Sequence, residues 1–139
     1  MVNYACAAVS GIFGLIYLFN PTFMDYHKAA LEKKWEELDK KLQTLILALM
    51  RAVSSGALLL AFIIIVLQDA YDNTGQQWIP LTILISSLIL SSGSIYAMVL
   101  VTSRTKGRPP VLFVLLGLAL AIAAYLLHLQ EISRIQNHS

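Results

Sequence analysis

Four long apolar runs, almost free of charge, take up most of this chain. They lie at about residues 2–19, 45–67, 78–101 and 111–129. A helix of about 20 residues, rising ~1.5 Å each, crosses the ~30 Å hydrocarbon core of a bilayer. Lipid offers no partner for backbone N–H and C=O groups, so spans of this kind satisfy them internally as helices. Only 13% of the residues are charged, against about 25% in a soluble domain. The expected fold is all-α: a polytopic four-transmembrane-helix bundle forming one membrane domain over residues 1–139.

The connections are short. Asn20-Pro21-Thr22 ends the first run, because proline cannot continue the helical ladder and disfavours helix in the residue before it. Residues 22–44 form the only substantial polar segment. There Leu31, Trp35, Leu38, Leu42, Leu45 and Leu49 recur at steps of three and four, which predicts one amphipathic cytoplasmic helix. Lys33/Glu37, Glu36/Lys40 and Glu37/Lys41 would pair on its other side. Thr22 and Asp25 give a weak start signal. This helix either lies on the membrane with Trp35 at headgroup level or extends the second span upright as a partner surface. Gln68 to Gln77 reads as a polar loop rich in turn formers, edged by Tyr71 and Trp78. Pro80 sits in the first turn of the third span, where its missing N–H costs nothing.

Orientation follows from the basic residues. Nine of the ten, namely Lys28, Lys33, Lys34, Lys40, Lys41, Arg51, Arg104, Lys106 and Arg108, fall on one side of the drawn spans. Only Arg134 falls on the other. The positive-inside rule therefore places both basic connections in the cytoplasm and both termini outside. Residues 2–19 lack a basic leading stretch and read as a span rather than a cleaved signal peptide.

Helices in lipid associate through small residues and polar contacts. Each run carries such a face: Ala7, Gly11 and Gly14; Ser54, Ser55 and Gly56; Ser87, Ser91, Gly93 and Ser94; Gly117, Ala121 and Ala124. The serine stripe of the third span is either a packing face or the wall of a polar cavity.

Arg51 is the one charge inside an apolar run. Such a residue is costly at mid-bilayer and invites a functional hypothesis. At this depth it either snorkels to the headgroups or heads a polar pocket. The pocket would gather Tyr17, Asn20, His27, Ser54, Ser55, Ser94 and Tyr96 around a guanidinium able to hold a carboxylate or phosphate.

Other chemistry finds no support. Cys6 is alone, which excludes an intramolecular disulfide and makes it a small packing residue. His27 is separated by the membrane from His128 and His138, so no metal site is expected. No cofactor motif is present, and a net charge of +2 does not suggest nucleic acid. All the acidic residues lie outside the runs, which disfavours a proton-coupled transporter. The expected partners are membrane lipids, with a homo-oligomer or a larger membrane complex as the possible assembly.

Residues 12–56, through Asn20-Pro21-Thr22-Phe23-Met24-Asp25-Tyr26-His27, Trp35 and Leu47-Ala48-Leu49-Met50-Arg51, resemble a group of small bacterial membrane proteins of unassigned function. That resemblance implies a bacterial inner membrane and no particular activity. Four spans and Arg51-Ala52 in the second also resemble the membrane-associated eicosanoid and glutathione metabolism family, trimers that bind glutathione. This second resemblance implies Arg51 stabilising a thiolate and Tyr96 donating a hydrogen bond. Ser55 and Leu58 stand where that family has Asn and Glu. The expected function is a structural or accessory membrane subunit, or a binder of an anionic lipid or amphiphile near the cytoplasmic leaflet; a glutathione-dependent transferase is the alternative, and a small transporter or channel the third.

Overall fold

The computed structural model describes residues 1–137, so His138 lies outside the described residues. Five α-helices and one 3-10 turn account for almost all of it: α1 (Val2–Phe19), α2 (Asp25–Leu31), the turn Trp35–Glu37, α3 (Lys40–Thr74), α4 (Trp78–Arg104) and α5 (Val111–Asn137). α1, α3, α4 and α5 are each long and apolar enough to cross a membrane. They form a ring in which α1 packs on α3, α3 on α4, α4 on α5, and α5 back on α1. One end of the bundle carries α2 and the basic loop after α4. The other carries Met1 and the turn at Gly75.

The helices outrun their apolar cores. α3 has 35 residues, about 52 Å at 1.5 Å per residue. It starts at Lys40 rather than Leu45 and runs to Thr74 rather than Leu67. The polar stretch from Gln68 therefore stays helical instead of forming a loop. Its side chains bond along the helix: Gln68 to Asp72 at 2.7 Å, Asn73 to the Asp69 carbonyl at 2.9 Å, and Thr74 to the Ala70 carbonyl at 2.7 Å. Gly75, in the left-handed region at φ 65°, closes α3, and its N–H donates to Tyr71 O at 2.8 Å. Pro80 lies in the first turn of α4, as its position indicates.

The single amphipathic helix over residues 22–44 is not formed. α2 stops at Leu31, and Glu32 takes the left-handed conformation at φ 54°. The chain then makes the 3-10 turn and restarts at Asp39, whose Oδ1 accepts Leu42 N–H at 2.9 Å. The leucine spacing is used another way. Phe23 meets Trp35 edge to face at 5.2 Å, and Phe23 and Leu38 are buried. Leu31, Leu45 and Leu49 stay exposed. Gln43 fastens the fold-back by donating to the carbonyls of Trp35 at 2.8 Å and Leu38 at 3.3 Å. Without a continuous helix, the three expected i,i+4 ion pairs do not form. The one ion pair among the described residues joins Lys106 to Glu32 at 2.6 Å, both exposed. Each side chain favours the charged form of the other, holding Glu32 below and Lys106 above their ordinary pKa values.

α1 and α3 approach most closely. A Cβ at Gly14 would stand 2.8 Å from Leu58 Cγ and 3.2 Å from its backbone N, so only glycine fits. Two serines cross this seam in opposite senses: Ser10 donates to Ala57 O and Ser54 to Gly14 O, each at 2.9 Å. Ala7 and Ala61 are buried nearby, and a Cβ added at Gly11 would stand 3.7 Å from Ala61 Cβ, an ordinary contact. Ile64, Ile79, Ile83 and Ala121 fill the core toward the Met1 end. Toward the basic end, inward positions are held by Ala52, Gly56, Ala57, Ser91 and Ser94, and the space between the helices stays open.

Candidate functional site

Arg51 lies on α3 one helical turn before the Ser54–Gly14 contact, opposite the end of α1. Its Nη1 donates to Tyr17 O at 2.6 Å and its Nη2 to Asn20 O at 3.0 Å. The last carbonyls of a helix have no partner within it, and the negative end of the helix dipole favours a cation. Ile16 O is met by Asn20 N–H at 3.2 Å. Arg51 meets Tyr17 O, the next one along. Its fork therefore caps α1 and pins the turn at Asn20-Pro21, which takes two of its five N–H donors.

The other residues expected around Arg51 are only partly brought together. The Tyr17 hydroxyl donates to the Tyr26 hydroxyl at 3.0 Å, joining α1 to α2. Burial, with the Tyr17 contact second, pushes the Tyr26 phenol up. Asn20 turns its side chain to Met24 and to the Thr22 N–H. His27 Nδ1 accepts the Met24 N–H at 3.0 Å. A backbone N–H only donates, so this nitrogen carries no proton, and burial pushes the imidazole pKa down. Met24 and His27 thus form the cap of α2, in place of Thr22 and Asp25. Ser54 is committed to Gly14 O, and Ser55 bonds back to Arg51 O at 2.9 Å. Tyr96 is 72% exposed on the outside of α4, and Ser94 faces the central space.

That space is a cavity of about 350 Å³ among all four long helices, at the lower end of the ~300–1,000 Å³ typical of ligand sites. α1 contributes Cys6, Ser10 and Phe13; α3 contributes Val53, Gly56 and Leu60. α4 contributes Ser87, Leu90, Ser91, Ser94 and Ala97, and α5 contributes Phe113 and Gly117. No Asp, Glu, Lys, Arg or His lines it. Val53, Ile89 and Gly93 belong both to its wall and to the outer surface, so it has a mouth at the α3–α4 seam. A Cβ at Gly93 would meet nothing within 4 Å, which makes Gly93 part of this mouth rather than of a packed contact. Gly56 is 3.6 Å from Leu90 Cδ1, and Gly117 3.8 Å from Val9 Cγ1, both measured from an added Cβ.

The serines on this wall differ. Ser87 is buried and bonds to Ile83 O at 2.9 Å. Cys6 donates to Gly117 O at 3.3 Å. Ser91 is 8% exposed, yet its hydroxyl finds no hydrogen-bond partner among the described residues. Ser94, on the same face, has none either.

A polar cluster at the Met1 end leaves little trace in the sequence. Asn3 Nδ2 donates to Gln68 Oε1 at 2.7 Å, Gln68 continues to Asp72, and Tyr71 shares a 3.0 Å hydrogen bond with His128 Nδ1. These side chains tie α1, α3 and α5 together beside a concavity of about 390 Å³ that Glu131 and Arg134 also line. In the sequence Asn3 stands at the start of the first run and Gln68 and Asp72 just past the end of the second, where they read as loop; only the extension of α3 to Thr74 brings them together.

Fold and cavity together define a class: an all-helical bundle with four helices of membrane-spanning length around an uncharged chamber. Comparison with known family models, curated proteins and solved structures finds no match to this chain.

Proposed function

We propose that this chain spans a membrane four times and binds a lipophilic molecule in its central cavity, taking it up through the α3–α4 seam. Length, hydropathy and the outward-facing apolar side chains of the four helices support the spans. The concentration of Lys and Arg at the α2 end supports a cytoplasmic location for that end, with both termini outside. Support for a bacterial inner membrane comes from the resemblance over residues 12–56. The observation that carries the binding reading is the cavity wall: apolar, uncharged, and open between Val53 and Ile89 at a depth where lipid would surround it. This reading moves the binder function from Arg51 to the cavity and changes the ligand from an anion to a lipophile.

Native mass spectrometry of protein released into mild detergent tests it. The expected spectrum shows a co-purified lipophilic adduct that is lost in Gly117→Phe, a substitution that fills the chamber. An adduct-free wild type, or an adduct unchanged in the variant, would contradict the proposal. Of the four long helices, α5 buries the least of its apolar surface within the bundle, so the number of copies is worth reading alongside. The same spectrum reads that stoichiometry.

A further inference from the structure

Resting on the cavity reading above, we infer that the occupant is a single-chain lipid with an uncharged, hydroxyl-bearing head that hydrogen-bonds Ser91. Three features of the wall lead there.

The first is the state of the serines. Among the described residues the one fully enclosed side-chain polar atom without a partner is Asn3 Oδ1, at the other end of the bundle; the Ser91 hydroxyl instead opens onto an apolar chamber, where only an occupant can meet it. A serine in a helix can usually bond to a carbonyl one turn back, and Ser87 does so. Ser91 does not, although it is 8% exposed and faces the cavity. Ser94 adds a second free hydroxyl on the same face. A hydroxyl head can donate to one of these oxygens and accept from the other.

The second feature is charge. A carboxylate or phosphate in this chamber would lose its hydration and meet no cation, which is strongly unfavourable in a low-dielectric interior. Arg51 does not line the wall, and its guanidinium is engaged by Tyr17 O and Asn20 O. The chamber therefore selects against anionic lipids. The third feature is size. About 350 Å³ suits one chain rather than the two of a bilayer phospholipid, and the mouth between Val53 and Ile89 lets the rest of that chain lie in the membrane.

Three probes of equal chain length separate these claims: 1-dodecanol, dodecanoate and dodecane, each equilibrated at the same concentration with the protein in mild detergent. Adducts are read by native mass spectrometry, and circular dichroism checks that each variant folds. Dodecanol should bind best. Ser91→Ala should weaken it about fivefold, the change expected for one hydrogen bond, and Ser91→Thr should restore it. Dodecanoate binding as well as dodecanol would overturn the uncharged head. Dodecanol no better than dodecane and indifferent to Ser91→Ala would overturn the role of Ser91, while loss of both in Gly117→Phe would still uphold the cavity as a binding site. Absence of every adduct would overturn the cavity reading and this inference with it.

Discussion

Arg51 shows how a costly residue can be explained by backbone alone. Its two acceptors are main-chain carbonyls of residues 17 and 20, which leave no mark in a sequence, so spacing suggested a ligand pocket or snorkelling where the structure adds a helix cap. Arg51→Leu should destabilise the protein by about 1–3 kcal/mol through the loss of charge-assisted bonds to two carbonyls. Arg51→Lys should recover only part, because an ammonium lacks the fork that reaches both oxygens. Thermal unfolding of the two variants checks this; a silent Arg51→Lys would favour snorkelling. His27 provides a pH test. Its imidazole pKa is pushed down in the folded protein, while the unfolded chain protonates near the ordinary value of about 6.5. The unfolded state then binds more protons below that pH. The stability that the neutral ring contributes is present above pH ~6.5 and is lost as pH falls through the lowered folded pKa. Protonation would also occupy Nδ1 and break the Met24 cap. Melting curves between pH 7 and 5 should fall less steeply in His27→Gln, whose side chain accepts the same N–H without titrating.

At the scale of elements, the helices were legible where apolar runs or small-residue faces imposed them, and illegible where side chains decided the ends. Gly14 was readable as a packing residue, since helices in lipid need small contacts; Ser54 read equally as packing and as part of an Arg51 pocket, and its bond to Gly14 O joins it to the seam. Residues 22–44 misled because leucines at steps of three and four suit a long amphipathic helix, while a short helix and a 3-10 turn folded around Phe23 draw only Trp35 and Leu38 of that set into the fold-back. No glycine or proline marks the break; Glu32 takes it at φ 54°. Gly107 locks this fold-back. A Cβ there would stand 2.7 Å from Tyr26 O and 2.9 Å from Ala30 Cβ, so the basic loop rests directly on α2. Gly107→Ala should cost about 1–3 kcal/mol, the range for overpacking, and loosen α2 first. Hydrogen exchange should show faster exchange over Asp25–Leu31 with α4 unchanged; equal protection in the variant would mean that the loop moves freely.

For the whole molecule, the four long helices were legible from hydropathy, but neither the ring in which they pack nor the chamber inside it was. Its volume depends on which faces turn inward and on how far the large residues at the Met1 end extend, and neither follows from spacing. Topology can be tested with Cys6→Ser as background: Gln76→Cys should react with a membrane-impermeant maleimide in intact cells, and Lys34→Cys should not. The reverse pattern would invert the orientation. The chamber itself is best tested in native membranes, by photo-crosslinking with a long-chain alkanol that carries a diazirine on its chain. Labelling should map to the inward positions Leu60, Leu90 and Ser91 and be competed by unlabelled alkanol. Labelling confined to outward residues such as Phe62 and Leu112 would mean that lipid touches only the outside of the bundle and that the cavity holds nothing.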